Sequence, residues 1–434
     1  MDSEFKRRMS PPLTLLVLGA LTPGEHVVEI SDENVGDIQT DDFPDLVGIT
    51  VNVDTATRAY QIADSYRERG ISVILGGIHA SAVPDEAGTH ADSVCIGEAE
   101  DVWVTILQDV SHNRLKRAYQ SESPVDPARI PTPRWELIDP SPYLYTNILV
   151  SSRGCPFTCE FCYNSCDYVK GGFRNRSPQA VTHELEQFGT MQAMFVDDNF
   201  IGNPARAMQL IKTLNPLKLT WHAAVSTNLV NHLDILDAMQ ESGCRSLFIG
   251  FETINGDSLA SVRKTQTKRE SFEKLIHEIH SRGIMINASL AFGFDHDMPD
   301  VFARTLDWLV ENRIETMTGH ILTPYPGTKL FKQMESEGRI VDYDWSHYNT
   351  AHAVFKPKHM TQDELVDGYL RIYNKFYSWR NILKRMPVSR SVRKPYLIFN
   401  IGYRKFGKQL SGLARFKAMR DVGAWARRTS YGIE

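Results

Sequence analysis

The chain has 434 residues, of which 42% are hydrophobic and 23% are charged, an ordinary composition for a globular protein. This length exceeds what one hydrophobic core usually holds, so two or three domains are expected. The net charge of −5 says little by itself. No apolar run is long enough to span a bilayer and no signal peptide is recognisable, so a cytoplasmic protein is expected.

Residues 1–118 are predicted to form a first domain in which short apolar strands alternate with helices. This alternation predicts a parallel, doubly wound α/β sheet of the Rossmann-like kind. The glycine pair Gly76-Gly77 follows one strand and lets the backbone approach a ligand closely. The predicted strands are 27–31, 46–51, 71–75 and 93–96, and the predicted helices are 13–20, 55–69 and 103–110.

Residues 119–145 are rich in proline, with six prolines between 121 and 145. Proline interrupts helices and cannot donate to a central strand. The segment is therefore predicted to be an extended linker between two domains.

Three cysteines follow the short apolar strand at 148–150. Cys155, Cys159 and Cys162 have the spacing C-x3-C-x2-C. Three thiolates in one loop can hold an iron–sulfur cluster, and a four-iron cluster then keeps one iron without a cysteine ligand. A zinc site or scattered core cysteines are the alternatives, but zinc sites usually combine two ligand pairs and no second pair is present.

The distribution of the cysteines indicates the redox setting of the chain: four of the six lie within twelve positions. Such clustering is typical of a metal site rather than of a disulfide framework, and it favours a reducing, cytoplasmic setting. The fourth of these cysteines, Cys166, could be a spare ligand, a redox thiol or a buried bystander.

Residues 146–335 are predicted to form a second domain of six strand–helix units. Six units rather than eight predict a partial (β/α)6 barrel that is open on one side. Parallel α/β folds bind ligands at the carboxyl ends of their strands, so the polar turns after the strands are expected to share one rim. The predicted strands are 148–151, 193–196, 219–226, 246–250, 284–292 and 317–322.

Residues 336–434 are predicted to be mainly helical, with a capped helix over 361–379 and a basic stretch over 380–428. This stretch could pack as a solvated face, or could contact an anionic membrane or a carrier-bound substrate. No nucleic-acid-binding fold accompanies the charge, so nucleic acid is not an expected partner. The basic residues include Lys384, Arg385, Arg404, Lys408, Arg415, Lys417, Arg427 and Arg428.

The segment Ser152-Arg153-Gly154-Cys155-Pro156-Phe157 through Cys162 resembles the radical S-adenosylmethionine (radical SAM) superfamily. The resemblance implies a [4Fe-4S] cluster whose fourth iron binds S-adenosylmethionine (SAM). It also implies reductive cleavage of SAM to a 5′-deoxyadenosyl radical, with flavodoxin or ferredoxin as electron donor.

The same resemblance implies a set of SAM contacts at the ends of the barrel strands. Asp197 and Asp198 would accept from the methionine amino group of SAM. Ser226, Asn228 and Glu252, after the next two strands, would approach its ribose and carboxylate. The strand end at Gly293 would leave room for its adenine. Each polar member could instead cap the helix that follows it. The implied contacts are Phe161, Asp197, Asp198, Ser226, Asn228, Glu252, Gly293 and Phe294.

The order of elements in the first domain resembles the cobalamin-binding domain that precedes many radical SAM barrels. Two features depart from that pattern: only residues 1–9 stand where an opening strand is usual, and Asn34 stands where the D-x-H-x-x-G signature has histidine. Cobalamin binding is therefore open, and His79, alone after a glycine turn, is interpreted as structural, with a ligand role as the alternative. The implied cobalamin contacts are Thr50, Gly76, Gly77, His79, Gly97 and Glu98.

The expected function is therefore radical functionalisation of an unactivated C–H bond in a small natural-product or lipid-like molecule, with no catalytic side chain assigned. With cobalamin, C-methylation is expected; without it, rearrangement, cyclisation or oxidation. A non-catalytic iron–sulfur protein is the alternative of another class, and the substrate and oligomeric state are not legible in the sequence.

Overall fold

A computed structural model describes residues 10–406 except 39, 144, 170, 190 and 265–267. The first described element is helix α1, Leu13–Leu21. A four-stranded parallel sheet follows, in the order β1-β2-β3-β4. The strands are β1 Leu46–Thr50, β2 Ser72–Gly76, β3 Ser93–Ile96 and β4 Ala118–Gln120, and the helices are α2 Ala56–Glu68, α3 Ile78–Ala82, α4 Pro84–Ala87 and α5 Trp103–Ser111.

The predicted strand at 27–31 is wrong, because no strand forms there. A strand needs ladder hydrogen bonds to a neighbour, whereas β1 is the edge of this sheet and pairs only with β2. The side chain of Val27 is fully exposed as a result. A short apolar run therefore did not suffice to form a strand at 27–31.

Residues 121–143 run as irregular chain with short 3-10 turns at Pro127–Arg129 and Trp135–Leu137. They return across the first domain, where the Arg134 N–H donates to the Leu16 carbonyl at 3.2 Å. Val125 in this segment is fully buried, so the linker is packed against the protein at that point.

The central domain contains a six-stranded, all-parallel sheet in the order β5-β8-β9-β10-β11-β12, which confirms the predicted α/β fold class with an open barrel. Along the chain between β5 and β8, strands β6 and β7 pair with each other as a small antiparallel ribbon. The strands are β5 Ile148–Leu149, β6 Ser152–Arg153, β7 Arg174–Asn175, β8 Gln192–Phe195, β9 Thr220–Ser226, β10 Cys244–Glu252, β11 Met285–Phe292 and β12 Thr316–Ile321.

The helices between these strands, and the one that follows the last strand, cover the sheet with apolar side chains, which form the largest hydrophobic core of the described chain. They are α6 Pro178–Gln187, α7 Pro204–Leu214, α8 Leu233–Glu241, α9 Gly256–Ser261, α10 Phe272–Ser281, α11 Val301–Glu311 and α12 Lys329–Ser336.

Three further helices form the C-terminal region: α13 Gln362–Phe376, α14 Trp379–Lys384 and α15 Arg393–Phe406. Helix α13 begins with the expected capping box between Thr361 and Glu364. It packs along the edge strand β12, where the Tyr373 hydroxyl accepts from the Gly319 N–H at 2.6 Å and donates to the Gly319 carbonyl at 3.1 Å. Tyr377 repeats this arrangement at Met317, so two tyrosines stand where a seventh strand would pair.

The basic C-terminal stretch is not uniformly solvated. Arg385 is fully buried, with its guanidinium 3.5 Å from the Phe376 ring centroid. It donates to three backbone carbonyls and to Asn400, so its charge stabilises the junction of β12 and α13. Lys408, Arg415, Lys417, Arg427 and Arg428 lie outside the described residues. Within residues 10–406, no helix is both long and apolar enough to cross a membrane.

Candidate functional site

The three clustered cysteines lie in residues 154–173, here called the cluster loop, which joins β6 to β7. Gly154 opens it with φ of 76°, and a Cβ there would come 2.3 Å from the Gly172 carbonyl oxygen. Only glycine suits that conformation and that approach. In the turn that follows, the Cys162 N–H donates to the Cys159 carbonyl at 3.0 Å. This hydrogen bond holds two of the three cysteines close together.

The thiols of Cys155, Cys159 and Cys162 influence one another electrostatically, since Cys159 acts on both of the others. Burial raises the pKa of Cys155, and it raises the pKa of Cys162 to about 12. Among the residues described, no three His, Cys, Asp or Glu side chains converge on a point that would hold a single metal ion. Three neighbouring cysteines of one loop, with no second ligand pair among the described residues, suit a multi-iron cluster better than zinc.

Cys166 stands apart from this group. It is buried, its sulfur lies 3.3 Å from where a Cβ on Gly327 would be, and the charges acting on it are those of Lys332 and Asp167. These surroundings agree with a packed thiol rather than a fourth ligand.

The two aspartates after β8, Asp197 and Asp198, differ in burial and in their hydrogen-bond partners. Asp197 is buried and accepts hydrogen bonds from the Ser151 N–H at 3.1 Å, the Ser151 hydroxyl at 2.9 Å and the Ser152 hydroxyl. It therefore holds the strand end that leads into the cluster loop. Asp198 is exposed, accepts from the Tyr163 hydroxyl at 2.6 Å, and acts on the thiols of Cys155 and Cys162.

Cationic Arg206 compensates Asp197 beneath the loop. It is buried and donates to the Ser151 carbonyl at 3.0 Å and to the Arg176 carbonyl at 2.7 Å. Arg176 in turn pairs with the buried Glu184 at 2.6 Å. Two buried cations and two buried carboxylates thus form a platform under β6, a role that the sequence did not reveal.

Ser226 and Asn228, at the end of β9, lie together with Asn199. The Asn199 amide donates to the Ser226 hydroxyl at 3.1 Å, and that hydroxyl donates to the Asn228 side-chain oxygen. Asn199 also hydrogen-bonds to the Cys155 thiol. The sequence placed Asn199 directly after the acidic pair, and that position was the available signal for it.

Glu252 ends β10 in a left-handed conformation with φ of 63°. It forms an ion pair with Lys264, which is buried and also donates to the Gly250 carbonyl at 2.9 Å. The Lys264 ammonium lies 6.0 Å from the ring centroid of Phe161 in the cluster loop. Sequence reasoning missed Lys264, because it comes from an irregular segment with no periodic pattern.

Gly293 and Phe294 follow β11. Gly293 has φ of 103°, and a Cβ there would come 3.0 Å from Leu365 and 3.1 Å from Phe355. The glycine is thus required by close packing with the C-terminal region. Phe294 is buried and meets Phe161 edge-to-face, with ring centroids 6.2 Å apart.

A cleft of 1820 Å³ separates the N-terminal sheet from the cluster loop. Its lining includes Asp198 and Tyr163 on one side and most of the residues predicted for the N-terminal ligand on the other. Those residues are Thr50, Gly76, Gly77, Gly97 and Glu98.

His79, predicted with that set, does not line this cleft. It is fully buried, 3.6 Å from Glu86 and edge-on to Trp345 at 5.0 Å between ring centroids. Its surroundings are those of a core histidine, the structural alternative that the sequence left open.

Comparisons with known proteins agree with this geometry. The family model of the radical SAM superfamily matches residues 149–309, and that of a domain of unknown function, DUF4070, matches residues 328–396. Bacteriochlorophyllide d C-12(1)-methyltransferase of Chlorobaculum tepidum is 32% identical over 87% of this chain and 85% of its own. Bacteriochlorophyllide d C-8(2)-methyltransferase of the same organism is 30% identical over 89% of each chain.

Among solved structures, the radical SAM methyltransferase TsrM of Kitasatospora setae, with cobalamin and a [4Fe-4S] cluster bound, superposes with a TM-score of 0.64. The alignment covers 96% of each chain at 14% identity. At that identity the likeness concerns the fold, and it extends through both sheets.

Proposed function

The chain belongs to the radical SAM superfamily, and on that premise we propose that it is a cobalamin-dependent C-methyltransferase acting on a tetrapyrrole. As a radical SAM enzyme it uses a [4Fe-4S] cluster and SAM. The observation that carries the proposal is the cleft, which joins the turns after β1, β2 and β3 to the cluster loop. Two cofactors on its opposite walls could meet one substrate.

We assign the cluster to Cys155, Cys159 and Cys162. When bound, the cluster supplies the electron that splits SAM. The chain's own part is to provide thiolates, and because burial favours the neutral thiols, iron binding must release protons. The platform of Asp197 and Arg206 fixes the strand end from which the loop starts.

Asp198 is the acceptor we assign to the SAM amino group. It is exposed beside the thiols and accepts one hydrogen bond from Tyr163, whereas a carboxylate can accept about four. Ser226 and Asn228 suit the ribose hydroxyls. Lys264 donates to Glu252 and to the Gly250 carbonyl, which leaves the third donor of its ammonium for a methionine carboxylate.

Cobalamin is assigned to the N-terminal side of the cleft, at Thr50, Gly76, Gly77 and Gly97. Small-molecule pockets hold about 300–1,000 Å³, so 1820 Å³ exceeds the need of SAM alone. When bound, cobalamin supplies the transferred methyl group. Asn34 stands where a histidine ligand would be expected, so that motif provides no imidazole to the cobalt.

The substrate class rests on the two bacteriochlorophyllide methyltransferases, which are similar along most of this chain. The cleft also continues to the C-terminal loop at Asn349, Ala351 and His352, which gives a wide planar molecule a third wall. A lipid-like substrate is the competing class that the assay below separates.

The test is anaerobic turnover of chain purified from cobalamin-supplemented cells, with methyl-deuterated SAM and a reductant. Bacteriochlorophyllide d is expected to gain one deuterated methyl group, and the protein is expected to show corrin absorbance. A hopanoid-type lipid offered in parallel should remain unchanged. Protein without corrin bands, or methylation of the lipid alone, would contradict the proposal.

A cobalamin-free rearrangement, cyclisation or oxidation is the second candidate, favoured by the unpaired segment 27–31 and by Asn34. It predicts 5′-deoxyadenosine and a changed substrate without methyl transfer. A non-catalytic iron–sulfur protein would give neither. We further propose a cytoplasmic location, with flavodoxin or ferredoxin as electron donor, consistent with the absence of a disulfide among the described cysteines.

A further inference from the structure

The two ends of the cluster loop are register partners. In the antiparallel ribbon of β6 and β7, Arg153 lies opposite Arg174 and Ser152 lies opposite Asn175. The pair Arg153–Arg174 is therefore the base from which the loop departs and to which it returns. Whatever holds these two arginines also fixes the span of the loop that carries the cysteines.

Both arginines bind the same carboxylate of the other domain. Arg174 donates to the two oxygens of Glu98 at 2.9 Å each, and Arg153 donates to Glu98 Oε1 at 3.2 Å. Arg153 also pairs with Glu100. Burial opposes ionisation of Glu98, but the arginines outweigh it and its pKa is lowered, so the carboxylate is charged where it meets them.

The linker is tied to the same point. The Val125 N–H donates to Glu98 Oε2 at 3.2 Å, and the Val125 carbonyl accepts from Arg174 at 2.6 Å. Glu98 thus contacts three parts of the chain: the turn after β3 to which it belongs, the linker and the base of the cluster loop.

Glu98 has no acceptor capacity left for a ligand. A carboxylate offers about four lone-pair positions, and each oxygen of Glu98 already accepts two N–H groups. This differs from Asp198, which accepts one hydrogen bond in the same cleft. A cofactor could bind Glu98 only by displacing an arginine.

We propose that Glu98 is a positioning residue that clamps the N-terminal domain and the linker onto the base of the cluster loop. It keeps the two walls of the cleft in fixed relation, so that a radical formed at the cluster side and a methyl group held at the N-terminal side reach one substrate atom. The last step rests on the proposed function, whereas the clamp itself is a property of the folded chain.

The test is hydrogen–deuterium exchange of the full chain, without SAM or cobalamin, in wild type and Glu98→Gln. The amide keeps the shape of the side chain but removes the charge that faces both arginines. Peptides spanning 150–176 are expected to exchange about tenfold faster, the effect of losing one charge-assisted hydrogen bond. Helix α2 and strands β9 to β11 should be unchanged. The matched control is Glu33→Gln, which removes an exposed ion pair with Arg58 in the same domain and should leave 150–176 as in wild type.

A second readout separates positioning from mere structure. In the reconstituted enzyme, Glu98→Gln should keep its full iron content yet release about tenfold more 5′-deoxyadenosine per methylated product. Glu98→Asp, which retains the charge, should recover part of both effects. If Glu98→Gln loosens the whole chain, Arg174→Lys is measured on the same peptides and must show the local effect.

Unchanged exchange at 150–176 in Glu98→Gln would overturn the clamp. Loss of cobalamin from Glu98→Gln with normal protection of the loop would also overturn it, because Glu98 would then be a cofactor ligand. Since exchange is measured without cofactors, failure of the proposed methylation would leave the clamp result intact.

Discussion

The two sheets of this protein are held in different ways. In the central sheet, β9, β10 and β11 have seven, nine and eight residues, and their helices bury the largest apolar core described. The N-terminal strands have only three to five residues. Polar contacts help to fix the N-terminal domain to the rest: Glu98 binds the cluster loop, and Glu86 accepts from the Trp345 indole at 2.8 Å.

The difference indicates how the chain divides its tasks. Apolar burial, the largest favourable term in folding, stabilises the central sheet from which the cluster loop extends. Directional, charge-assisted hydrogen bonds set where the second wall of the cleft stands. Loss of a cluster cysteine should therefore abolish cluster chemistry, and changes in the central domain around it should lower stability. Changes at the contacts between domains should instead alter how that chemistry is used.

The largest effect is expected from replacing Cys155, Cys159 or Cys162 by Ala. Each change removes one of the three ligands that we assign to the cluster, so anaerobically reconstituted protein should lose most of its iron and form no detectable 5′-deoxyadenosine. Cys166→Ala is the matched control and should retain both, since Cys166 packs against Gly327. A variant of the triad that still cleaves SAM would break the assignment.

Substitution of Asp197 should lower stability, whereas substitution of Asp198 should weaken SAM binding. Asp197→Asn keeps one acceptor oxygen but removes the carboxylate charge that compensates Arg206 and places an NH2 group among the Ser151 and Ser152 donors, so the free energy of unfolding should fall by about 2–4 kcal/mol. Asp198→Asn should leave the melting temperature nearly unchanged and weaken SAM binding roughly tenfold. Calorimetry of SAM binding and thermal melting measure the two quantities. The reverse pattern would make Asp197 the cofactor contact.

Substitution of the tyrosines on α13 tests how the edge strand β12 of the central sheet is stabilised. Tyr373→Phe leaves the Gly319 N–H and carbonyl without a partner, and should cost about 1–2 kcal/mol of unfolding free energy. Tyr369→Phe is the control on the same helix, because among the described residues its buried hydroxyl makes no hydrogen bond to β12. Equal destabilisation by both changes would refute a role for the hydroxyl of Tyr373 at the sheet edge.

The smallest effect concerns Asp297, which is buried behind β11. Burial raises its pKa to about 6, although the Gly293 N–H, the Ser258 hydroxyl and the Phe294 N–H stabilise the charged form. A raised carboxyl pKa favours the neutral form in the fold. The associated stability is therefore present below about pH 4 and lost as the pH rises towards 6.

Asp297→Asn imitates the neutral acid and removes this dependence. Cluster-free wild type should lose about 1 kcal/mol relative to Asp297→Asn between pH 5 and pH 6.5, as followed by urea unfolding. Parallel curves for the two proteins would show that Asp297 does not titrate in this range.

The sequence predicted the features that depend on neighbours along the chain. The cysteine spacing, the six strand–helix units and the capped helix over 361–379 are local patterns, and the observed fold contains them. It did not predict features that depend on distant partners. Segment 27–31 has the apolar content of a strand but no strand to pair with. Arg385 has the charge of a surface residue but is buried against carbonyls of a different element.

The candidate site shows the same limit. Position after a strand singled out both Asp197 and Asp198, yet only contacts with Ser151 and Ser152 distinguish the buried carboxylate from the exposed one. Lys264 and the four donors to Glu98 come from segments without any periodic pattern. Which polar groups are already satisfied by the protein is a tertiary property.

Electron paramagnetic resonance of the reconstituted, reduced protein, recorded with and without SAM, tests the central claim most directly. A four-iron cluster bound by Cys155, Cys159 and Cys162 has one iron open to SAM, so the g values are expected to shift when SAM is added. A spectrum of a reduced four-iron cluster that SAM leaves unchanged, or protein that binds zinc instead of iron, would contradict the account.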